Sequence, residues 1–167
     1  ALELVPDDVD HQTIERMAER YALLLAREGV YDVQGAREDQ RQDLVALEAL
    51  TEAMDDDQRR AEVAWHRARH AVVIAGHATA IAASRRAIHL ARAIRDMRSE
   101  ATGHLYWGWA LYQLSDYGAA RLQLQQALAL ARAASLRQVE ATSLRFLGRN
   151  SRMLGNDAKA QAHFEQA

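Results

Sequence analysis

Hydrophobic and small residues recur along the chain at helical spacing, and polar or glycine-containing breakers interrupt them twice in every forty residues. Mid-block breaks fall at Gln34-Gly35, Gly76-His77, Ser115-Asp116 and Gly155-Asn156. Block-end breaks fall at Asp55-Asp56-Asp57, Arg95-Asp96 and Ala134-Ser135. This pattern predicts first helices near 12–33, 58–75, 98–114 and 136–154, and second helices near 36–53, 77–94, 117–133 and from 157 onward. Each helix would run about 25 to 28 Å. Ser135 followed by Gln138 has capping-box spacing, and Asp116 and Asn156 are placed to cap the helices after them. Residues 1–11, with Asp7, Asp8 and Asp10, read as a flexible acidic lead-in or as the tail of a preceding repeat.

Written in blocks that begin at Tyr21, Ala61, Ala101 and Ala141, the chain aligns with itself. Ala80, Ala120 and Ala160 share a column, as do Ala87, Ala127 and Ala167, with Leu47 in the first block. Gly108 stacks on Gly148, Leu44 on Leu124 and Phe164, and Gly35 on Ala75, Ser115 and Gly155. Small residues belong where two helices cross at about 8 to 10 Å. Because one hairpin cannot bury its apolar face alone, such units must stack.

The second half resembles the tetratricopeptide repeat family through Leu144-x-x-Leu147-Gly148 followed by Ala160-x-x-x-Phe164-x-x-Ala167. Trp107-Gly108, Tyr117, Ala120, Leu124 and Ala127 keep the pattern one block earlier, whereas the second block has Arg67-Ala68 for Leu-Gly. No block has the proline that the family often places near the end of its unit; Glu52, Arg92 and Arg132 stand there. The 40-residue style resembles the helical arms of multidomain signalling ATPases and transcription activators. The resemblance implies an all-α, right-handed superhelical solenoid of antiparallel helix hairpins, about 3.5 to 4 repeats long. The repeats are expected at 21–60, 61–100, 101–140 and 141–167, the last truncated, in a repeat domain over 12–167 that is a fragment of a larger protein.

Composition supports the helical reading: of 167 residues 34 are alanine, one is proline and eight are glycine. The net charge of -2 gives no global attraction to nucleic acid or acidic lipid. With no cysteine, disulfides and thiolate chemistry drop out. No apolar stretch approaches the roughly 18 residues of a membrane helix, and a cytoplasmic setting is expected.

Candidate chemistry is sparse. The only lysine, Lys159, follows no phosphate-binding loop. Glu62, His66 and His70 are spaced along one helix, but Glu62 and His70 would stand roughly 12 Å apart, so a metal would need a ligand from elsewhere. Carboxylates such as Glu38 and Asp39 sit in solvated, turn-like contexts. No nucleophile, base and oxyanion donor converge, so neither enzymatic activity nor any cofactor or metal is expected. Arg85, Arg92 and Arg95 share one helix side and could meet phosphates, yet no aromatics interleave with them.

The resemblance implies that the first helix of each hairpin lines a concave groove through its second, fifth, ninth and twelfth positions. The fifth column is Leu25, Trp65, Leu105 and Arg145; the ninth is Gly29, Arg69, Trp109 and Arg149; the twelfth is Asp32, Val72, Tyr112 and Arg152. Trp107, Gly108, Leu111 and Leu114 serve as core, which leaves Trp109 and Tyr112 surplus to hairpin packing. Trp, Tyr and Arg are the types enriched at binding hot spots. The expected function is therefore a non-catalytic protein-interaction or regulatory scaffold that holds an acidic or aromatic-bearing peptide against Trp65, Arg69, Leu105, Trp109, Tyr112, Arg145, Arg149 and Arg152. Two alternatives stand beside it. One is a structural or autoinhibitory arm packed on the nucleotide-binding domain of its own parent, with Trp65 and Trp109 filling space between helices. The other is a small-molecule sensor using a pocket among Trp65, Tyr106, Trp109 and Tyr112. Neither membrane nor nucleic acid is an expected partner, and a homodimer through the edge bearing Leu154 and Phe164 is.

Overall fold

An alanine-rich chain whose single proline is Pro6 has little to interrupt helix between its turns. The computed structural model describes the backbone of residues 7–167 and the side chains of residues 13–167, and every element among them is a helix. In order these are α1 (Asp7–Gln34), α2 (Arg37–Ala53), α3 (Asp57–Val73), α4 (His77–Ile94), α5 (Met97–Gln113), α6 (Tyr117–Ala133), α7 (Arg137–Met153) and α8 (Asp157–Gln166). From α2 onward the boundaries lie within two residues of those predicted. Of the lead-in expected over 1–11, residues 1–6 lie outside the described residues, and Asp7 onward belongs to α1.

The turns share one geometry. Gly35, Asp55, Ala75, Arg95, Ser115, Ser135 and Gly155, spaced twenty residues apart, adopt positive φ between 50° and 74°. The amide after each returns to the carbonyl five residues earlier, as from Gly76 to Ala71 at 2.8 Å and from Leu136 to Ala131 at 2.8 Å. Carbonyls at the end of each helix are satisfied in this way, and the left-handed residue makes the reversal possible. Asp116 and Asn156 cap α6 and α8, accepting from the Ala119 and Lys159 amides, both at 3.1 Å. Asp96 caps α5 through the Arg98 and Ser99 amides. Ser135 is not the cap expected of it, because that turn uses it as the left-handed residue and the cap position passes to Leu136, which offers no side-chain acceptor.

The chain divides into two compact units, residues 1–56 and 57–167. In the first, α1 packs on α2 through an extensive polar network. Arg27 grips Asp43 with two hydrogen bonds of 2.8 and 2.6 Å, Gln40 donates to Glu28 at 2.7 Å, and Arg37 reaches Asp32 at 2.7 Å. Glu28 and Gln40 are fully buried, so their mutual bond offsets desolvation that neither could bear alone. Asp32, from the expected groove column, is thus tied into its own hairpin.

In the second unit each helix from α3 to α8 packs on the next, and the first helices α3, α5 and α7 also pack on one another. This is the stacking of an all-α helical-repeat solenoid. Ala80, Ala87, Ala120, Ala127 and Ala160 are buried. A Cβ on Gly108 would stand 2.7 Å from Leu124 Cγ, and one on Gly148 2.5 Å from Phe164 Cε1. Gly103 plays the same part between hairpins, where a Cβ would meet Ile88 Cγ1 at 2.8 Å. In the second repeat the corresponding pair is Ala68 and Ser84, both fully buried: a larger residue on one helix accompanies a smaller one on the other. Leu114, expected in the core, is half-exposed just beyond the end of α5.

Candidate functional site

Helix packing brings the aromatic side chains of α3, α5 and α7 into one row. Trp65 lies parallel to Tyr106 with ring centroids 6.4 Å apart, Tyr106 is 6.1 Å from Trp109, and Trp109 is 4.9 Å from Phe146. Tyr112 meets Phe146 edge-on at 6.2 Å and lies tilted to Tyr117 at 5.7 Å. Such offset and tilted pairs are favourable geometries for aromatic quadrupoles. The row joins Trp65, Trp109 and Tyr112 to two residues not among the eight groove candidates. Phe146 was not singled out at all, although the forty-residue register holds its signal: His66, Tyr106 and Phe146 share one column.

The row is anchored in the core rather than laid upon it. Leu105 is buried with Leu124, Ala127, Phe146 and Leu147, and Trp109 packs against both this cluster and the neighbouring one of Ala71, Val72, Ala80 and Ala110. Trp109 is therefore not surplus to packing. Its half-buried ring bridges two hairpins, a consequence of the first helices touching directly. Trp65, Tyr106 and Tyr112 likewise keep part of their surface accessible.

The arginines divide into engaged and open. Arg69 stands 5.8 Å over the Trp65 ring and within 3.4 Å of His66 Nδ1. Arg149 lies 5.5 Å over Phe146 and Arg152 5.5 Å over Phe164. Arg145, Arg149 and Arg152 are exposed, and among the described residues no hydrogen bond or ion pair holds their guanidinium groups. They form a positive edge on α7, with Asp157 and Glu165 beside Arg152 in a shared surface cleft.

A cleft of about 150 Å³ opens where the three first helices meet, lined by Trp65, Arg69, Leu105, Tyr106, Val139 and Thr142 among others. Trp109 and Tyr112 lie outside this lining, so the four aromatics expected around one pocket are strung along the helices instead. Among the described residues no hydrogen-bond acceptor meets the buried Trp65 indole Nε1.

Second helices meet α5 at His104, which is buried. Its Nδ1 lies 2.8 Å from Gln123 Oε1 and its Nε2 3.4 Å from Arg92 Nη2. Gln123 can only accept through that oxygen and Arg92 can only donate, which fixes the neutral tautomer with the proton on Nδ1. Burial, aided by Arg92 and opposed by the Gln123 bond and Glu100, holds this imidazole below its ordinary pKa of 6.5. The phosphate-facing set imagined on α4 is largely occupied: Arg85 covers the Trp107 ring at 5.8 Å, and Arg92 pairs with Glu100.

His66 and His70 are buried, and among the described residues no group of three or more His, Cys, Asp or Glu side chains is placed to hold a metal ion. Among the same residues no helix is long and apolar enough to cross a membrane. No model of a known protein family matches the chain, and comparison with curated proteins gives no match.

Proposed function

We propose that the chain is a non-catalytic, cytoplasmic interaction or regulatory arm of tetratricopeptide type that holds an extended acidic peptide along α3, α5 and α7. The observation that carries this reading is the pairing of a continuous, partly accessible aromatic row with the unpaired guanidinium groups of Arg145, Arg149 and Arg152. Aromatic side chains supply contact area at little entropic cost, and arginines without an ion pair can supply charge-assisted bonds to carboxylates. The test is binding of acidic, aromatic-bearing peptides, read by tryptophan fluorescence, to the wild type and to an Arg145→Glu, Arg149→Glu, Arg152→Glu triple variant of unchanged melting temperature. Peptides bound by the first and lost by the second support the groove. Equal binding by both, or none, removes it.

A second reading, a structural or autoinhibitory arm of a larger protein, is favoured by one observation: Phe146 is only 3% exposed and Trp109 packs on two core clusters, so part of the row serves the array itself. A small-molecule site among the same aromatics is disfavoured by volume, since the cleft of about 150 Å³ falls below the roughly 300 Å³ of ordinary ligand pockets. A homodimer through Leu154 and Phe164 remains part of the proposal, Phe164 being 37% exposed under Arg152.

A further inference from the structure

Away from the aromatic row, α6 and α8 both pack on α7 and leave between them a cleft of about 620 Å³. Arg121 and Gln125 of α6, Leu147 and Ser151 of α7, and Lys159 and His163 of α8 line it. One end is bridged by Arg132, whose Nη2 donates to Gln166 Oε1 at 3.1 Å. The register explains its size. Forty residues earlier, Trp107 and Leu111 stand in the places of Leu147 and Ser151, and Leu122 in that of Ala162. In that repeat the Trp107 ring carries the Arg85 guanidinium at 5.8 Å. The last repeat has lost this bulk and gained volume in the range of small-molecule pockets.

Its lining is also electrically one-sided. No acidic residue lines the cleft among the described residues, and neither the Arg121 guanidinium nor the Lys159 ammonium has a hydrogen bond or ion pair there. His163 Nδ1 is buried with no hydrogen-bond partner among the described residues. Burial chiefly lowers the imidazole pKa, and the charges of Arg132 and Lys159 act in the same direction. Leu147, Leu154 and Ala162 add an apolar wall. Basic groups without counter-ions around an apolar floor are complementary to one ligand class.

We propose that this cleft binds a small organic anion, an apolar body bearing a phosphate or carboxylate, with Arg121 and Lys159 holding the anionic group and Leu147 and Ala162 receiving the body. The test titrates the chain with phenyl phosphate and with phenylacetate, beside benzyl alcohol and inorganic phosphate, following amide shifts by NMR. Saturable binding of at least one organic anion is expected, with shifts centred on α6 to α8, a dissociation constant below about 1 mM, and at least tenfold weaker binding by the two controls. Which anion binds distinguishes a phosphate from a carboxylate head group. An Arg121→Gln, Lys159→Gln double variant, altered only at exposed positions, should keep its melting temperature and lose binding at least tenfold; Leu147→Trp, which restores the bulk of the preceding repeat, should lose it too. Absence of binding by both organic anions overturns the proposal. So does equal binding of benzyl alcohol or inorganic phosphate, or undiminished affinity in the double variant.

Discussion

Arg92 Nε lies 2.6 Å from Glu100 Oε1 across the turn between α4 and α5, and the pair recurs forty residues on, with Arg132 Nε 2.8 Å from Glu140 Oε1. Each arginine reaches from the last turn of one hairpin to the first helix of the next. The departure from the tetratricopeptide pattern acquires a physical reason here. A proline at 92 or 132 would remove both the cation and the helical hydrogen bond that positions it. In the first block the signs at these columns are exchanged, Glu52 and Arg60.

The pair can be tested by exchange. Arg92 is 60% exposed, so removing Glu100 as Glu100→Gln should cost no more than about 1 kcal/mol. Arg92→Glu combined with Glu100→Arg should recover part of what each single change loses, in a double-mutant cycle read by urea unfolding. Strict additivity would show that the two side chains are merely adjacent.

Stability should fall as the solution is acidified. His104 and His163 both have pKa values lowered from 6.5, chiefly by burial, so the unfolded chain takes up their protons at a higher pH than the folded one. Their neutral forms contribute fully above 6.5, and that contribution is lost as pH drops below 6.5 through the folded values. The melting temperature should therefore decline between about pH 7 and pH 5, and His104→Gln should flatten the decline. An identical slope in the variant would locate the titration elsewhere.

Crossing glycines should differ in what they tolerate. At Gly108 an added Cβ meets the fully buried Leu124 and its backbone nitrogen at 3.2 Å, whereas at Gly148 it meets the ring of the half-exposed Phe164, which can move. Gly108→Ala should destabilise more than Gly148→Ala, and Gly148→Leu should cost on the order of 1 to 3 kcal/mol. Ser84→Leu should be disruptive alone and rescued in part by Ala68→Gly, which recreates the combination of the later repeats. Thermal unfolding of the six proteins, wild type included, decides the order.

Turn residues offer the opposite sign. Ala75 and Ser115 hold φ of 60° and 62°, a region that costs a side chain roughly 1 kcal/mol. Ala75→Gly should raise stability by some of that amount, less the extra freedom glycine has when unfolded, and Gly155→Ala, at φ 72°, should lower it. Chemical denaturation of both variants checks the pair of signs.

The helices and their boundaries were legible because breakers, caps and small columns are local signals. Asp116 and Asn156 show their capping role in their own side chains. Ser135 misled because its residue type suits a cap, while the turn needs a left-handed residue at that place. At the candidate site the sequence located Trp65, Trp109 and Tyr112 on the first helices but could not say which of their faces other helices cover. That depends on α3, α5 and α7 touching directly, so Leu105 went into the core and Trp109 became a bridge between hairpins. The cleft of α6 to α8 was hidden for a related reason: an empty volume is defined by what neighbouring helices fail to fill.

From Ala75 to Gly155 the left-handed positions keep a spacing of twenty through helices of near-identical length. Each residue of helix turns the next side chain by about 100°. A one-residue insertion or deletion within any helix of the second unit would therefore swing everything beyond it on that helix off its packing face, with no long loop to absorb the error. Length in such a chain can change harmlessly only by a whole hairpin at once, so its natural variation in size should come in steps of forty, by duplication or loss of complete units.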